Sequence, residues 1–357
     1  MRQPISRLWR LCVLAVGALA LAGCGSSAGG GGGGGGVVPP ATDLVVRDAS
    51  VVLAMSTDGR LAGASRWRAA YWSQHRADPV LLGAPTGYTT VMASDVDATG
   101  RIAGVLKGPY DRMYPVIWAG PGAQPTPLPM GPGYQVPPDY VDSVKLLPGR
   151  GAVAAITKGT ADESVIAVWR VPGLSPVIAD TATTRGQLPQ SVSDDGTLVT
   201  QRTNRVTQLQ KINRITGIVG APIDLAALSG RTGAKAEGLS IGGRMAGIYN
   251  FAPDVLRPLW FAPDGAATDL PPLPGGTESW ATVINDAGLV GGFTYTTRGQ
   301  KATAWRGANV VDLNTMLPRG SDVRLQKVIA LANDGRALCA AVQGAEDDPT
   351  YVVVRVP

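Results

Sequence analysis

Few residues of this 357-residue chain are equipped for chemistry. It has one histidine, His75, and three cysteines, Cys12, Cys24 and Cys339. A single imidazole cannot build a histidine-rich metal centre, and no cysteine or histidine spacing matches a zinc site, a phosphate-cradling loop or an EF-hand. His75, between Gln74 and Arg76, is expected to be a solvated loop residue. Four acids, Asp58, Asp195, Asp286 and Asp334, stand at one place in recurring tight turns. Gathered together they could bind calcium or serve as acid and base. Asp also caps its own backbone in such turns and tolerates their angles. With one carboxylate per repeat they should lie far apart, which favours the turn role. No catalytic residue, metal site or cofactor is therefore expected.

The cysteines divide by place. Residues 1–10 carry Arg2, Arg7 and Arg10 and no acid, and residues 11–22 are apolar but for Gly17. That is the basic and short apolar part of a secretory signal. About a dozen residues fall short of the roughly 20 that span a bilayer as a helix. The run ends in Leu21-Ala22-Gly23-Cys24, then Gly25-Ser26-Ser27, and this resembles the lipobox of bacterial lipoproteins. The resemblance implies removal of residues 1–23, a lipid on Cys24 and, with glycine rather than aspartate at position 25, delivery to the outer membrane. Residues 29–36 are all glycine and buried surface is unavailable to them, so residues 24–40 are expected to form a flexible tether. Cys339 has no disulfide partner left. It lies in an apolar alternating stretch, Ala337-Leu338-Cys339-Ala340-Ala341, and is expected to point inward as a small hydrophobe.

Charge excludes one class of partner. Of 32 basic residues three sit in the signal, leaving 29 against 27 acids, a net of +2. The basic residues are scattered rather than striped, so nucleic acid is not an expected partner.

Residues 41–357 are repetitive. The motif is a polar turn, a glycine and a short apolar strand. Its clearest copies are Thr57-Asp58-Gly59-Arg60-Leu61-Ala62-Gly63 and Ala98-Thr99-Gly100-Arg101-Ile102-Ala103-Gly104. Landmark glycines fall at 59, 100, 151, 196, 243, 288 and 335, an average spacing of 46 residues. A tryptophan follows in phase at Trp72, Trp118, Trp169, Trp260 and Trp305, with Ile212 and Val352 expected at the equivalent places of copies four and seven. Asp-Leu pairs follow further on at 224, 269 and 312. Copy six reads as four strands, over residues 280–285, 289–295, 301–306 and 310–314, the first two joined by a tight Asn-Asp-Ala-Gly turn. Four strands at this period, seven times, predict an all-β, seven-bladed β-propeller. Asp43-Leu44 repeats Asp269-Leu270 ahead of copy one, while copy seven stops at its third strand. The N-terminal segment is thus expected to supply the last blade's outer strand and close the ring. The in-phase tryptophans are expected to pack between blades rather than to form a sugar-binding stack.

The segment Asp269-Leu270-Pro271-Pro272-Leu273-Pro274-Gly275-Gly276, continued by Ala281-Thr282-Val283-Ile284-Asn285-Asp286-Ala287-Gly288-Leu289-Val290-Gly291, resembles the HAF-repeat family of extracellular bacterial proteins. Copies five and six match well, one and two moderately, three and four poorly. The resemblance implies an architecture and an extracellular address, and carries no catalytic residues. Ser193-Asp194-Asp195-Gly196 is similar to the Asp-box of sialidases but lacks its aromatic.

Function should lie off the repeat phase. Loops between second and third strands share a propeller face with the blade-to-blade connections, while the tight glycine turns occupy the other face. The first set holds Arg66, Trp67, Arg68, Tyr110, Arg112, Tyr114, Tyr134, Tyr140, Tyr249, Phe251, Trp280 and Tyr295. Exposed aromatics beside arginine are typical of recognition surfaces. The expectation is an envelope-anchored binding or scaffolding module for a protein or glycan, held to the membrane by its lipid and without catalysis. Two alternatives stay open. One is an envelope polysaccharide hydrolase or lyase, which would need Asp111, Arg112, Asp139, Asp254, Arg257 and Glu278 to converge in one pocket. The other is a purely structural envelope protein.

Overall fold

A computed structural model describes residues 44–147, 151–158, 164–170, 176–179, 186–202, 207–213, 216–253, 255–344 and 348–357. Cys12 and Cys24, the glycine tract and Asp254 lie outside these residues.

Each repeat becomes one antiparallel sheet, and seven sheets form a ring. Blade one comprises Val51–Met55, Leu61–Ser65, Arg68–Trp72 and Val80–Leu81. Blade two comprises Thr89–Val96, Ile102–Lys107, Met113–Trp118 and Pro125–Pro127. In blade three the innermost position is shared by two pieces, Tyr134–Gln135 and Lys145–Leu146, both paired with Ala152–Lys158, and Val165–Trp169 and Pro176–Ala179 follow. Blade four has Gln187–Val192, Thr197–Arg202 and Thr207–Lys211, its outer place marked by a single bridge from Leu209 to Ile223. Blade five runs Lys235–Leu239, Met245–Ala252, Val255–Phe261 and Ala267–Asp269. Blade six runs Gly276–Ile284, Leu289–Thr296, Gly299–Arg306 and Asn309–Asp312, each within a few residues of its expected bounds. Blade seven has Val323–Leu331, Arg336–Gln343 and Asp348–Arg355.

The ring closes as expected. Val45 bridges Val352 in antiparallel sense, and Val46 N–H donates to the Tyr351 carbonyl at 2.8 Å. The N-terminal segment therefore covers the open edge of blade seven, an edge that would otherwise present unpaired backbone groups.

Tryptophan joins blade to blade. Trp72, Trp118, Trp169 and Trp305 are wholly buried. Each indole N–H donates to a carbonyl in the connection preceding its own blade: Trp72 to Arg47 (2.9 Å), Trp118 to Gly83 (2.9 Å), Trp169 to Pro129 (2.7 Å) and Trp305 to Pro271 (2.7 Å). The ring fills the space between sheets while its polar edge finds a partner, as a buried indole requires. Three landmark assignments need correction. In blade five Phe261, paired with Met245, takes the buried place, and Trp260 is shifted to the next register position with Arg244 over its ring at 5.5 Å. In blade seven the equivalent residue is Val354, opposite Ala337, rather than Val352. In blade four it is Gln210, opposite Leu198, rather than Ile212. Gln210 is fully buried, and its amide donates to the Gly220 carbonyl at 3.3 Å, so it keeps the hydrogen bond and gives up the bulk.

The second glycine of the motif has a steric cause. The innermost strand of blade two bulges between Thr90 and Met92 and drives the Met92 carbonyl towards the strand beside it. A Cβ on Gly104 would stand 2.2 Å from that oxygen. No side chain fits there.

On the tight-turn face each turn bonds to a neighbour. Asp194 N–H donates to Ile241 O (2.8 Å), Gly242 N–H to an Asp286 carboxylate oxygen (2.7 Å), Asp286 N–H to Asn333 Oδ1 (3.2 Å) and Asn333 N–H to Thr57 O (2.8 Å). Arg336 adds a bond to Asp58 O at 2.6 Å across the first-to-last junction.

Candidate functional site

The repeated acids are consumed by these turns. Asp58 accepts from Ser56 and pairs with Arg60 at 3.0 Å, and Asp334 pairs with Arg336 at 2.7 Å. Asp286 serves the blade-to-blade bonds. Burial pushes the Asp195 carboxyl up, but hydrogen bonds from Lys211, Ser193 and Thr197 outweigh it and hold the group well below the usual carboxylate range. Among the described residues no three His, Cys, Asp or Glu side chains gather as metal ligands. His75 is half-buried in the turn leading to the outer strand of blade one, where its carbonyl accepts from Arg47 N–H at 3.3 Å. Cys339 faces inward between Val328 and Val352, wholly buried, and burial pushes its thiol far up. A reactive thiolate is thereby disfavoured.

The hydrolase constellation does not assemble among the described residues. Asp111 pairs with Lys107 at 2.9 Å in blade two, Arg257 lies 4.9 Å from the Phe251 ring in blade five, and Glu278 stands beside Tyr295 in blade six. Asp139 sits in the short helical turn Pro138–Ser143 ahead of Tyr140, whose hydroxyl is pushed up by burial and then by Asp139. Among the described residues, Asp111, Arg112, Asp139, Arg257 and Glu278 share no hydrogen bond or ion pair with one another. Of these only Glu278 lies on an innermost strand; the innermost strands of blades five and seven carry Glu237 and Lys327. Burial raises Glu237 and lowers Lys327, while their mutual attraction opposes both shifts.

The twelve candidate residues separate into groups, and seven of them, Arg68, Tyr114, Tyr134, Tyr249, Phe251, Trp280 and Tyr295, lie within strands rather than loops. Arg66 and Trp67 form the two-residue turn closing the Ser65–Arg68 pair, both at positive φ (49° and 60°), which makes it a type I′ turn. Such turns favour Asn-Gly. Here a tryptophan stands at the tip, 63% exposed, with Arg68 exposed beside it. Arg66 lies 3.7 Å from Asp48. The corresponding loop of blade two holds Tyr110 at φ 60°, ψ 29°, 95% exposed. In blade five Phe251 is 60% exposed, but Tyr249 is not a surface residue. It is 6% exposed, its hydroxyl donates to Asp269 at 3.2 Å and Arg231 lies over its ring, so it belongs to the core. In blade six Trp280 stacks on Phe293 at 5.7 Å and Tyr295 meets the same ring edge-on at 5.4 Å.

Arg112, Tyr114 and Tyr134 are brought together in a pocket of about 450 Å³. Its wall is the start of the third strand of blade two, and its floor is the proline-rich connection over residues 127–133. The floor is fastened from below. Leu128 is buried, its N–H donates to Pro115 O at 2.9 Å, and the Trp169 indole holds Pro129. Tyr134 turns back on Gly131 through a 3.1 Å backbone bond and pairs with Lys158 of blade three, whose ammonium stands 5.8 Å from its ring centre. Sequence reasoning missed Tyr88, which meets Tyr114 edge-to-face at 5.4 Å in the same wall. It precedes an innermost strand in a connection with no phase of its own. Gly108 was the available signal, since a Cβ there would fall 2.5 Å from Tyr88 and 2.7 Å from Tyr114.

No family model matches the sequence, and neither does any curated protein. The HAF-like motif therefore rests on its residues alone. Among solved structures the chain is similar to an acylaminoacyl peptidase from Pyrococcus horikoshii (TM-score 0.54, 8% identity, covering 87% of this chain and 52% of that one). It is also similar to the β-propeller domain of the Trilobed protease from Pyrococcus furiosus (0.53, 8%, 85% and 94%) and to streptogramin B lyase (0.51, 11%, 88% and 96%). The chain spans about half the length of the peptidases it matches, including 43% of a prolyl endopeptidase. At these identities the likeness is one of fold, a seven-bladed β-propeller.

Proposed function

We propose that this chain is a lipoprotein of the cell envelope, anchored through Cys24 to the outer membrane, whose propeller binds a protein or glycan partner without catalysis. Recognition uses the face that carries the second-to-third-strand loops. The observation that supports this reading is the presentation of Trp67 and Tyr110. Both are large aromatics held outward at left-handed backbone angles, which cost about 1–2 kcal/mol for an L residue. Strain retained at an exposed aromatic points to work outside the fold. The anchoring part is tested by Cys24→Ala, which should move the chain from the membrane to the soluble fraction and abolish fatty-acid labelling. For recognition, the full chain is used to capture partners from envelope extract and to probe a glycan array, beside Trp67→Ala and Tyr110→Ala. A specific protein or sugar lost in both variants supports the reading. A partner retained by both places recognition elsewhere.

A further inference from the structure

We infer that the pocket between Tyr88, Arg112, Tyr114 and Tyr134 is a binding site for an acidic saccharide built of hexuronate units. This rests on the reading of the loop face as a recognition surface and names a ligand class for one part of it. Three features carry the assignment. First, the pocket has the volume and the fixed floor of a small-ligand site, with Tyr88 and Tyr114 locked against each other and residues 128–129 tied to the blades beneath. Second, its charge is one-sided. No carboxylate lines it, and the Arg112 guanidinium forms no ion pair or hydrogen bond among the described residues. The nearest acid in sequence, Asp111, is already paired with Lys107. A second cation, Lys158, lies over the outer ring. An unpaired guanidinium beside tyrosine rings is matched by a carboxylate, which it can hold with two parallel bonds. Third, the hydroxyls of Tyr88, Tyr114 and Tyr134 accept and donate nothing among the described residues. Phenol rings with free hydroxyls offer an apolar face and a polar rim, and a pyranose offers the same pair, its C–H face and its ring of hydroxyls. A uronate adds the carboxylate that Arg112 lacks.

The test is a calorimetric titration of the full chain, solubilised in detergent, with trigalacturonate and with its methyl ester. The acid should bind and the ester should bind about tenfold or more weakly, the worth of one hydrogen-bonded charge contact. Arg112→Gln should lose the same factor for the acid and nothing further for the ester, and Arg112→Lys should recover part of it. Arg112 is exposed in a loop, so unchanged circular dichroism should show these variants folded. Equal affinity for acid and ester, no saturable binding of either, or indifference to Arg112→Gln would overturn the assignment. Tyr110→Ala separates the two ideas. It should leave trigalacturonate binding intact while losing the partner captured at the loop tips. Uronate failure with capture still sensitive to Tyr110 removes the pocket assignment alone. Capture insensitive to both loop aromatics removes the broader reading, whatever the titration shows.

Discussion

Tyr110 allows the strain argument to be separated from every packing effect. The residue is 95% exposed, so truncating it surrenders almost no buried area. Its φ of 60° and ψ of 29° lie in the left-handed region, where an L side chain costs about 1–2 kcal/mol and glycine nothing. Glycine in turn loses more freedom on folding, about 0.5–1 kcal/mol. Tyr110→Gly should thus raise stability by about 0.5–1 kcal/mol net. Tyr110→Ala keeps the strained angle and removes the same ring, and should leave stability unchanged within about 0.5 kcal/mol. The difference between the two variants isolates the backbone. Urea denaturation followed by far-ultraviolet circular dichroism, with slopes compared to confirm an unchanged exposed area, measures both. Tyr110→Gly equal to or less stable than Tyr110→Ala would refute the reasoning. The backbone would then not be strained, and the aromatic would need no compensating purpose outside the fold.

Three further perturbations address the scaffold. Trp118→Phe keeps most of the ring but orphans the Gly83 carbonyl, and should cost about 1–3 kcal/mol in the same denaturation assay, whereas Phe261→Leu, with no such bond to lose, should stay below about 1.5 kcal/mol. Gly104→Ala sets a methyl against the Met92 backbone oxygen and should cost about 1–3 kcal/mol or prevent accumulation, while Gly83→Ala, with open space around it, should be neutral by thermal melting. Asp195 is lowered in the fold, so its bonds contribute stability above the unfolded carboxylate value of about 3.9 and lose it as pH falls below that. Melting curves from pH 7 to 3 should show Asp195→Asn less stable than the parent at neutral pH, with the gap beginning to narrow below about pH 4.

What was legible in the sequence is what backbone geometry restricts. Six of the seven landmark glycines, all but Gly151, could be counted because their turns hold them at positive φ, and from that count followed seven blades. Closure was legible because Asp43-Leu44 copies an outer-strand pair found out of place. The tryptophan phase was read less well. In blades four and seven the position tolerates any residue that either fills the gap or supplies the bond, so Gln210 and Val354 carry no visible signature. Trp260 misled because an aromatic one place off the register looks like the register itself. Tyr249 was grouped with surface aromatics by its loop-proximal place, yet its Asp269 and Arg231 partners come from other strands and connections, which spacing cannot show. The pocket was half legible. Arg112, Tyr114 and Tyr134 belonged to the right face, but only the folded chain sets them beside Tyr88.

The two faces differ in what they leave unsatisfied, and that difference bears on the proposed function. On the tight-turn face five of the seven blade junctions carry turn-to-turn bonds among the described residues. Turns of blades four to five, five to six, six to seven and seven to one are joined by backbone or Asp-Asn bonds, and Arg101 of blade two reaches Leu147 O at 3.3 Å. A partner approaching there would have to replace bonds already made, and each replacement returns little. On the opposite face bulky groups are exposed: Trp67, Tyr110 and Phe251 outward, with Arg112 lining one pocket with Tyr88, Tyr114 and Tyr134. A partner there satisfies a cation and covers aromatic surface without breaking anything. This contrast supports the proposed placement of recognition on the loop face. The irregular loops of blades one and two, by contrast, carry exposed aromatic surface that is not yet covered, which is why the proposed recognition is sought there.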